Sequence, residues 1–184
     1  MKKEYTIRDE WLPFEIHPET PPEGVLLAER LSHIDWDDMY RNLRTSGARY
    51  DIAFGDVTLL SNSRLSLQAG EFARDQGRFE QFHEELFRAY FTDVEDIGSI
   101  TVLLERGKKA GLDPAEMRTV LEENRYLPRL EAVTAEAHAC GITSAPTFII
   151  NDRYSISGAQ PLDVFRGALK EIESEQANKP AGRQ

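Results

Sequence analysis

The chain predicts an α/β fold in which strand segments near its two ends flank a long helical region. Three observations carry this reading. Residues 5–16, YTIRDEWLPFEI, are rich in aromatic and branched side chains and alternate imperfectly, as a strand does. Residues 147–150 and 154–157, TFII and YSIS, flank Asn151-Asp152-Arg153 as a short hairpin. Between them, from Val25 to about Ala139, nearly every segment repeats its apolar residues at helical spacing. This order is not that of a helical bundle, because the strand regions at the two ends need each other to form a sheet.

The first strand signal stops at HPETPPEG, where Pro18, Pro21, Pro22 and Gly24 force an irregular loop. Leu65, Ala69, Phe72 and Ala73 then define one helix, with Asn62 or Ser63 as its N-cap. Phe79, Phe82, Leu86 and Phe87 define the next. Two further helices meet at Gly111-Leu112, the second opened by Asp113, Pro114 and Glu116 as cap, first-turn proline and capping-box acid. Another runs from about Pro128 to Ala139 and stops at Gly141. A closing amphipathic helix spans Leu162 to about Glu175, with Val164, Leu169 and Ile172 on its apolar side. Beyond it, residues 176–184 read as a mobile tail.

Composition narrows the function. The 184 residues hold 32 acidic and 22 basic side chains, a net charge of −10, which excludes a general phosphate-backbone binder and leaves no nucleic acid among the expected partners. No apolar run reaches the roughly 20 residues that span a bilayer, and MKKEYTIRDEW lacks the apolar core of a signal peptide, so no membrane partner and a cytoplasmic location are expected. A single cysteine, Cys140, permits neither an internal disulfide nor a thiolate metal cluster, and it reads as a small buried hydrophobe. It also lies near a helix end, where the macrodipole disfavours a thiolate.

His33, Asp35, Asp37 and Asp38 crowd together but lack zinc or calcium-loop spacing, and read as a solvated helix start. FHEEL lacks the second histidine of a metalloprotease helix, so His83 reads as a surface or partly packed side chain. No metal and no cofactor is expected. The chain has no GxxxxGK[ST], GxGxxG or GxSxG motif.

Four stretches carry a resemblance: EWLPFEIHPETPPEG, NSRLSLQAGEFARDQGRFEQFHEELFRAYFTDVEDIG, GLDPAEM and GITSAPTFIINDRYSISGAQP. In order and spacing they resemble the DsbA-like thioredoxin-fold proteins, and within them the FrnE-like branch, over nearly the whole chain to about Glu173. The resemblance implies a thioredoxin-like fold with a large inserted helical domain. Residues 1–24 and 140–175 would form an incomplete thioredoxin-like domain and residues 25–139 the insertion. It also implies that Ala145–Pro146 is the family's cis-proline bond, with Ser144, Ala145 and Pro146 lining the substrate side. There an extended peptide would add as a strand.

The family's chemistry depends on a Cys-x-x-Cys at a helix N-terminus, where one thiol is held as a thiolate that attacks a disulfide. Neither cysteine is in this sequence, so no catalytic residue is assigned. MKKEY resembles the end of that helix, and the first central strand is missing. Losing a central strand leaves buried backbone groups without partners, at about 1–3 kcal/mol each. Exposed or rearranged sheet edges, and a tendency to dimerise or aggregate, are therefore expected.

The leading expectation is a DsbA/FrnE-type thiol–disulfide oxidoreductase acting on protein or peptide thiols and disulfides, inactive as this chain alone. A second is a glutathione-dependent isomerase like the hydroxychromene-carboxylate isomerases and kappa-class transferases, with glutathione over the same loop. The third is a non-catalytic peptide-binding module whose helical insertion, rich in Phe79, Phe82, Phe87, Tyr90 and Phe91, holds a partner; the plainer reading makes those rings core.

Overall fold

The computed structural model describes residues 4–177. Contacts divide the chain into two compact units, Pro13–Ala137, and Met1–Leu12 with His138–Gln184.

The Pro13–Ala137 unit is mostly helical. After the irregular segment to Gly24 come β1 (Val25–Leu26), α1 (Leu27–Arg30) and α2 (Trp36–Gly47). β2 (Leu59–Leu60) pairs antiparallel with β1, Val25 opposite Leu60. Then follow α3 (Arg64–Asp75), α4 (Phe79–Phe87), a π turn (Arg88–Thr92), α5 (Ile100–Lys109), α6 (Pro114–Glu122) and α7 (Leu127–Ala139). The region read as helical throughout is therefore broken: residues 51–58 take neither helix nor strand. Contacts with the π turn hold this break. Gly55 donates its amide to the Phe91 carbonyl at 2.8 Å, and Thr92 donates its hydroxyl to the Ala53 carbonyl at 2.7 Å. The approach needs glycine, since a Cβ at Gly55 would come within 2.4 Å of the Val94 side chain.

The core joins α3, α4, α5 and α6 through Ala69, Phe72, Ala73, Phe82, Leu103, Met117, Val120 and Leu121. On α3 the apolar spacing read from sequence is the buried face. On α4 it is not: Phe82 is fully buried, whereas Phe87 is 48% exposed. The cap residues themselves are in place. Asp113 accepts from the amides of Ala115 and Glu116 at the start of α6, and Asn62 rather than Ser63 accepts from the Arg64 amide at the start of α3. Asp35 caps α2 through the Asp38 amide, so the acidic cluster is a helix start.

Two polar anchors order this unit. Arg106 is 3% exposed and its guanidinium meets Glu85, Asp93 and Glu95, fixing the turn that follows the π segment to α5. Glu15 is 4% exposed, pairs with Arg64 through both oxygens, and donates its amide to Thr134. Asn62 donates to the carbonyl of buried Thr20. Residues 13–24, grouped with the strands on sequence grounds, thus pack into the helical unit. The strand read at Tyr5–Ile16 is also corrected: residues 6–15 are neither helix nor strand, and no ladder among the described residues includes them.

The other unit holds β3 (Thr147–Ile150), β4 (Tyr154–Ser157) and α8 (Leu162–Ala177). The hairpin register sets Thr147 against Ser157 and Ile150 against Tyr154. Asn151 and Asp152 turn the hairpin in left-handed backbone, which these two residue types tolerate better than most. On α8 the inward row is Phe165, Leu169 and Ile172, with Ile172 buried, and Phe165 packs edge-on against Phe148. Val164, assigned to that row from sequence, is 46% exposed: the stripe is rotated by one residue. Glu4 joins the unit through Arg166, whose guanidinium holds the Glu4 carboxyl below the usual range. Of the helix end read into residues 1–5, Glu4 and Tyr5 form a turn and bend while Met1–Lys3 lie outside the described residues. Of the tail expected from residue 176, Gln176 and Ala177 continue α8, and the remainder also lies outside them.

Candidate functional site: the loop before β3 and its open edge

α7 ends at Ala139, and Gly141, at φ +75°, turns the chain out of the helix with its amide on the His138 carbonyl. Cys140 sits at this exit and is exposed, not the buried hydrophobe read from sequence. Little packs over the turn, for a Cβ added at Gly141 would meet nothing within 4 Å.

Ser144, Ala145 and Pro146 follow, all three exposed, and the Ala145–Pro146 peptide bond is cis. The loop is tied to the hairpin at two points. Thr147 donates its hydroxyl to the Ser144 carbonyl at 2.7 Å, and Gly158 donates its amide to the Pro146 carbonyl at 2.8 Å. Beyond Gly158, Gln160 returns its side-chain amide to the Ser157 carbonyl at 2.9 Å. The three residues assigned to the substrate side thus form one short, anchored, solvent-facing stretch.

The Gly158–Pro146 bond also fixes which backbone groups face outward. In an antiparallel pair, hydrogen-bonded and non-bonded residue pairs alternate. Pro146, Phe148 and Ile150 are bonded toward β4, so Thr147 and Ile149 direct their amides and carbonyls to the opposite edge. The sheet is two-stranded among the described residues, and that edge carries no ladder. Its side chains are also open: Phe148 is 40% and Ile149 50% exposed. Thr147 and Ile149 were absent from the sequence-derived site, although the period-two alternation and the preceding proline were both legible.

Among the described residues no group of three His, Cys, Asp or Glu side chains could hold a metal, and no helix is long and apolar enough to cross a membrane. What the site offers chemically is main-chain donors and acceptors in strand geometry.

A family model described as the DSBA-like thioredoxin domain matches residues 2–170. The chain is 28% identical over 171 residues to the uncharacterized protein YwbO of Bacillus subtilis, covering 92% of this chain and 83% of that one. Its structure resembles that of a probable DsbA oxidoreductase from Streptomyces coelicolor with a TM-score of 0.80 and 25% identity, over 93% of this chain and 76% of the other. It also resembles a 2-hydroxychromene-2-carboxylate isomerase with a TM-score of 0.73 at 15% identity, over 97% and 88%, a likeness of fold.

Proposed function

Because the chain belongs to the DSBA-like thioredoxin domain family, we propose that it serves thiol–disulfide exchange on protein or peptide substrates, in the manner of the FrnE-like branch, and that its part is to hold the substrate. Ser144, Ala145 and Pro146 present the substrate side, and the outward groups of Thr147 and Ile149 receive an extended segment as an added strand. The observation that carries this is the exposed, doubly anchored loop running directly into an open strand edge. The Streptomyces likeness supports the same chemistry.

Exchange needs a thiolate to attack a disulfide sulfur and a second thiol to resolve the mixed disulfide. The 184 residues contain one cysteine, so they complete no such two-thiol cycle by themselves. Insulin-reduction and dithiol-oxidation assays on this chain are expected to give no multiple turnover; sustained turnover overturns the reading. The substrate-holding part is tested with Thr147→Pro. This removes an outward amide and the hydroxyl that anchors Ser144 while leaving the β3–β4 bonds intact; relative to Thr147→Val, which loses the hydroxyl alone, it should weaken binding of a reduced, extended peptide by about tenfold.

A second reading is a glutathione-dependent isomerase, with glutathione as the ligand over the same loop; the likeness to a 2-hydroxychromene-2-carboxylate isomerase is one of fold. Calorimetry separates the two: a glutathione heat lost in a Ser144–Pro146 loop variant favours the isomerase type, and peptide binding without it favours the holder of protein thiols.

A further inference from the structure

The open edge of β3 carries side chains as well as main chain, and its two faces are unequally covered from the β4 side. Successive residues of a strand point to opposite faces. The Phe148 ring packs edge-on against Phe165, 4.9 Å between centres, so Phe148 lies on the α8 face and Thr147 and Ile149 lie on the other. The register gives each a different neighbour. Phe148 stands opposite Ile156 of β4, an apolar partner, whereas Ile149 stands opposite Ser155 and Thr147 opposite Ser157. Both serines are exposed. Ile149 therefore has no apolar cross-strand neighbour in β4 and stays 50% exposed. Phe148, with Ile156 beside it and Phe165 beneath, still stays 40% exposed.

What covers these two side chains has to come from the open side. An antiparallel strand added there lies about 4.8 Å from β3, and the outward groups set its register. Its residue opposite Ile149 exchanges both main-chain bonds with Ile149 and points to the same face. The residue opposite Phe148 forms the closer, non-bonded pair, with about 4.5 Å between Cα atoms, and points to the α8 face. The two are adjacent in the added chain and face opposite sides of the sheet.

The surroundings set the chemistry. No charged residue lies between Gly141 and Asn151. The nearest charges in sequence, Asp152 and Arg153, lie at the hairpin turn, and Arg153 is held by Glu175 and lies over the Tyr154 ring. On α8, Arg166 is held by Glu4 and Asp163. A charged side chain set beside Ile149 or Phe148 would lose water without gaining a partner. An apolar one gains the area that both leave open.

We propose that the β3 edge selects, among extended segments, those carrying two adjacent apolar residues, one set against Ile149 and the next against Phe148. The inference rests on the strand-addition reading above and names its side-chain requirement. A segment that alternates apolar and polar residues covers only one of the two, because its apolar residues share one face. A segment apolar at successive positions covers both, as strands buried on both faces of a sheet do. Ile149 is the discriminating residue, since Phe148 already has apolar neighbours.

The test uses two labelled synthetic peptides of identical composition in a Thr/Ser background, one with Leu and Val adjacent and one with a Thr between them. Binding to the full 184-residue chain is read by fluorescence anisotropy. The adjacent pair is expected to bind about fivefold tighter. Ile149→Thr, which keeps a β-branched residue at a half-exposed position, should bring the two peptides within about twofold. Thr147→Pro, measured against Thr147→Val, should weaken both peptides alike, because it removes main-chain bonding and not side-chain selection. Equal affinity for the two peptides in the wild type, or a preference untouched by Ile149→Thr, overturns the proposal; if Thr147→Pro still weakens both, strand addition itself stands. Binding of neither peptide overturns both. Self-association that Thr147→Pro abolishes, with no peptide affinity, assigns the edge to a second copy and also overturns the proposal.

Discussion

Arg106 Nη2 lies 2.6 Å from Asp93 Oδ2, and the same guanidinium reaches Glu95 at 2.9 Å and Glu85 at 3.3 Å. One nearly buried cation therefore satisfies three carboxylates from α4 and from the turn after the π segment. Arg106→Met leaves those acids facing one another. Removing one partner of a buried pair costs about 3–5 kcal/mol, and the low end applies because Asp93 is 41% and Glu95 35% exposed. Urea denaturation should show a loss of about 3 kcal/mol, with Arg106→Lys intermediate because an ammonium lacks the planar fork.

Phe82 and Phe87 are five residues apart on one helix and should respond differently to truncation. Phe82 is fully buried, so Phe82→Ala should cost about 3–5 kcal/mol. Phe87 keeps nearly half its surface in water, and Phe87→Ala should cost about 1 kcal/mol or less. Thermal or urea unfolding of the two variants checks the division of α4 into a core face and an outer face.

His83 gives stability a pH dependence whose sign is fixed. Its folded pKa is depressed, by burial first and by Arg74 second. Below about 6.5, the ordinary imidazole value, the unfolded chain binds the proton more readily than the folded one. The contribution is therefore complete above pH 6.5 and lost as pH falls through the depressed value. Denaturation midpoints at pH 7.5 and 5.5 should drop more steeply for the wild type than for His83→Phe.

Asp113 accepts from the Ala115 amide at 2.7 Å and the Glu116 amide at 3.1 Å. Asp113→Ala should destabilise the protein by about 1 kcal/mol and Asp113→Asn by much less, since asparagine caps comparably. Glu116 does not complete a capping box: its carboxylate accepts from Gln76 instead.

Local chemistry was legible wherever the chain enforces it by itself. The β3–β4 hairpin follows from branched residues around Asn151-Asp152, and α6 from the Asp113-Pro114 start. Ser144, Ala145 and Pro146 could be named because they precede such a strand in a family-like stretch. What depends on distant partners was not legible. Tyr5–Ile16 has strand composition, yet a strand is defined by its neighbour, and Glu15 bonds to Arg64 instead. Val25–Leu26 is too short to signal a strand until Leu59–Leu60 lies beside it. Helical spacing alone grouped Phe79, Phe82, Leu86 and Phe87 as the apolar residues of α4, without saying that Phe82 faces inward and Phe87 outward. The exposure of Cys140 likewise depends on the chain leaving α7 at Gly141, not on the cysteine.

The alternation along β3 makes that edge indifferent to side chains. Thr147 and Ile149 present amides and carbonyls, which every polypeptide can match, so an added strand is read there as main chain and not as sequence. Discrimination between one added strand and another would then fall to the side chains beside that edge, where Phe148 and Ile149 are 40% and 50% exposed.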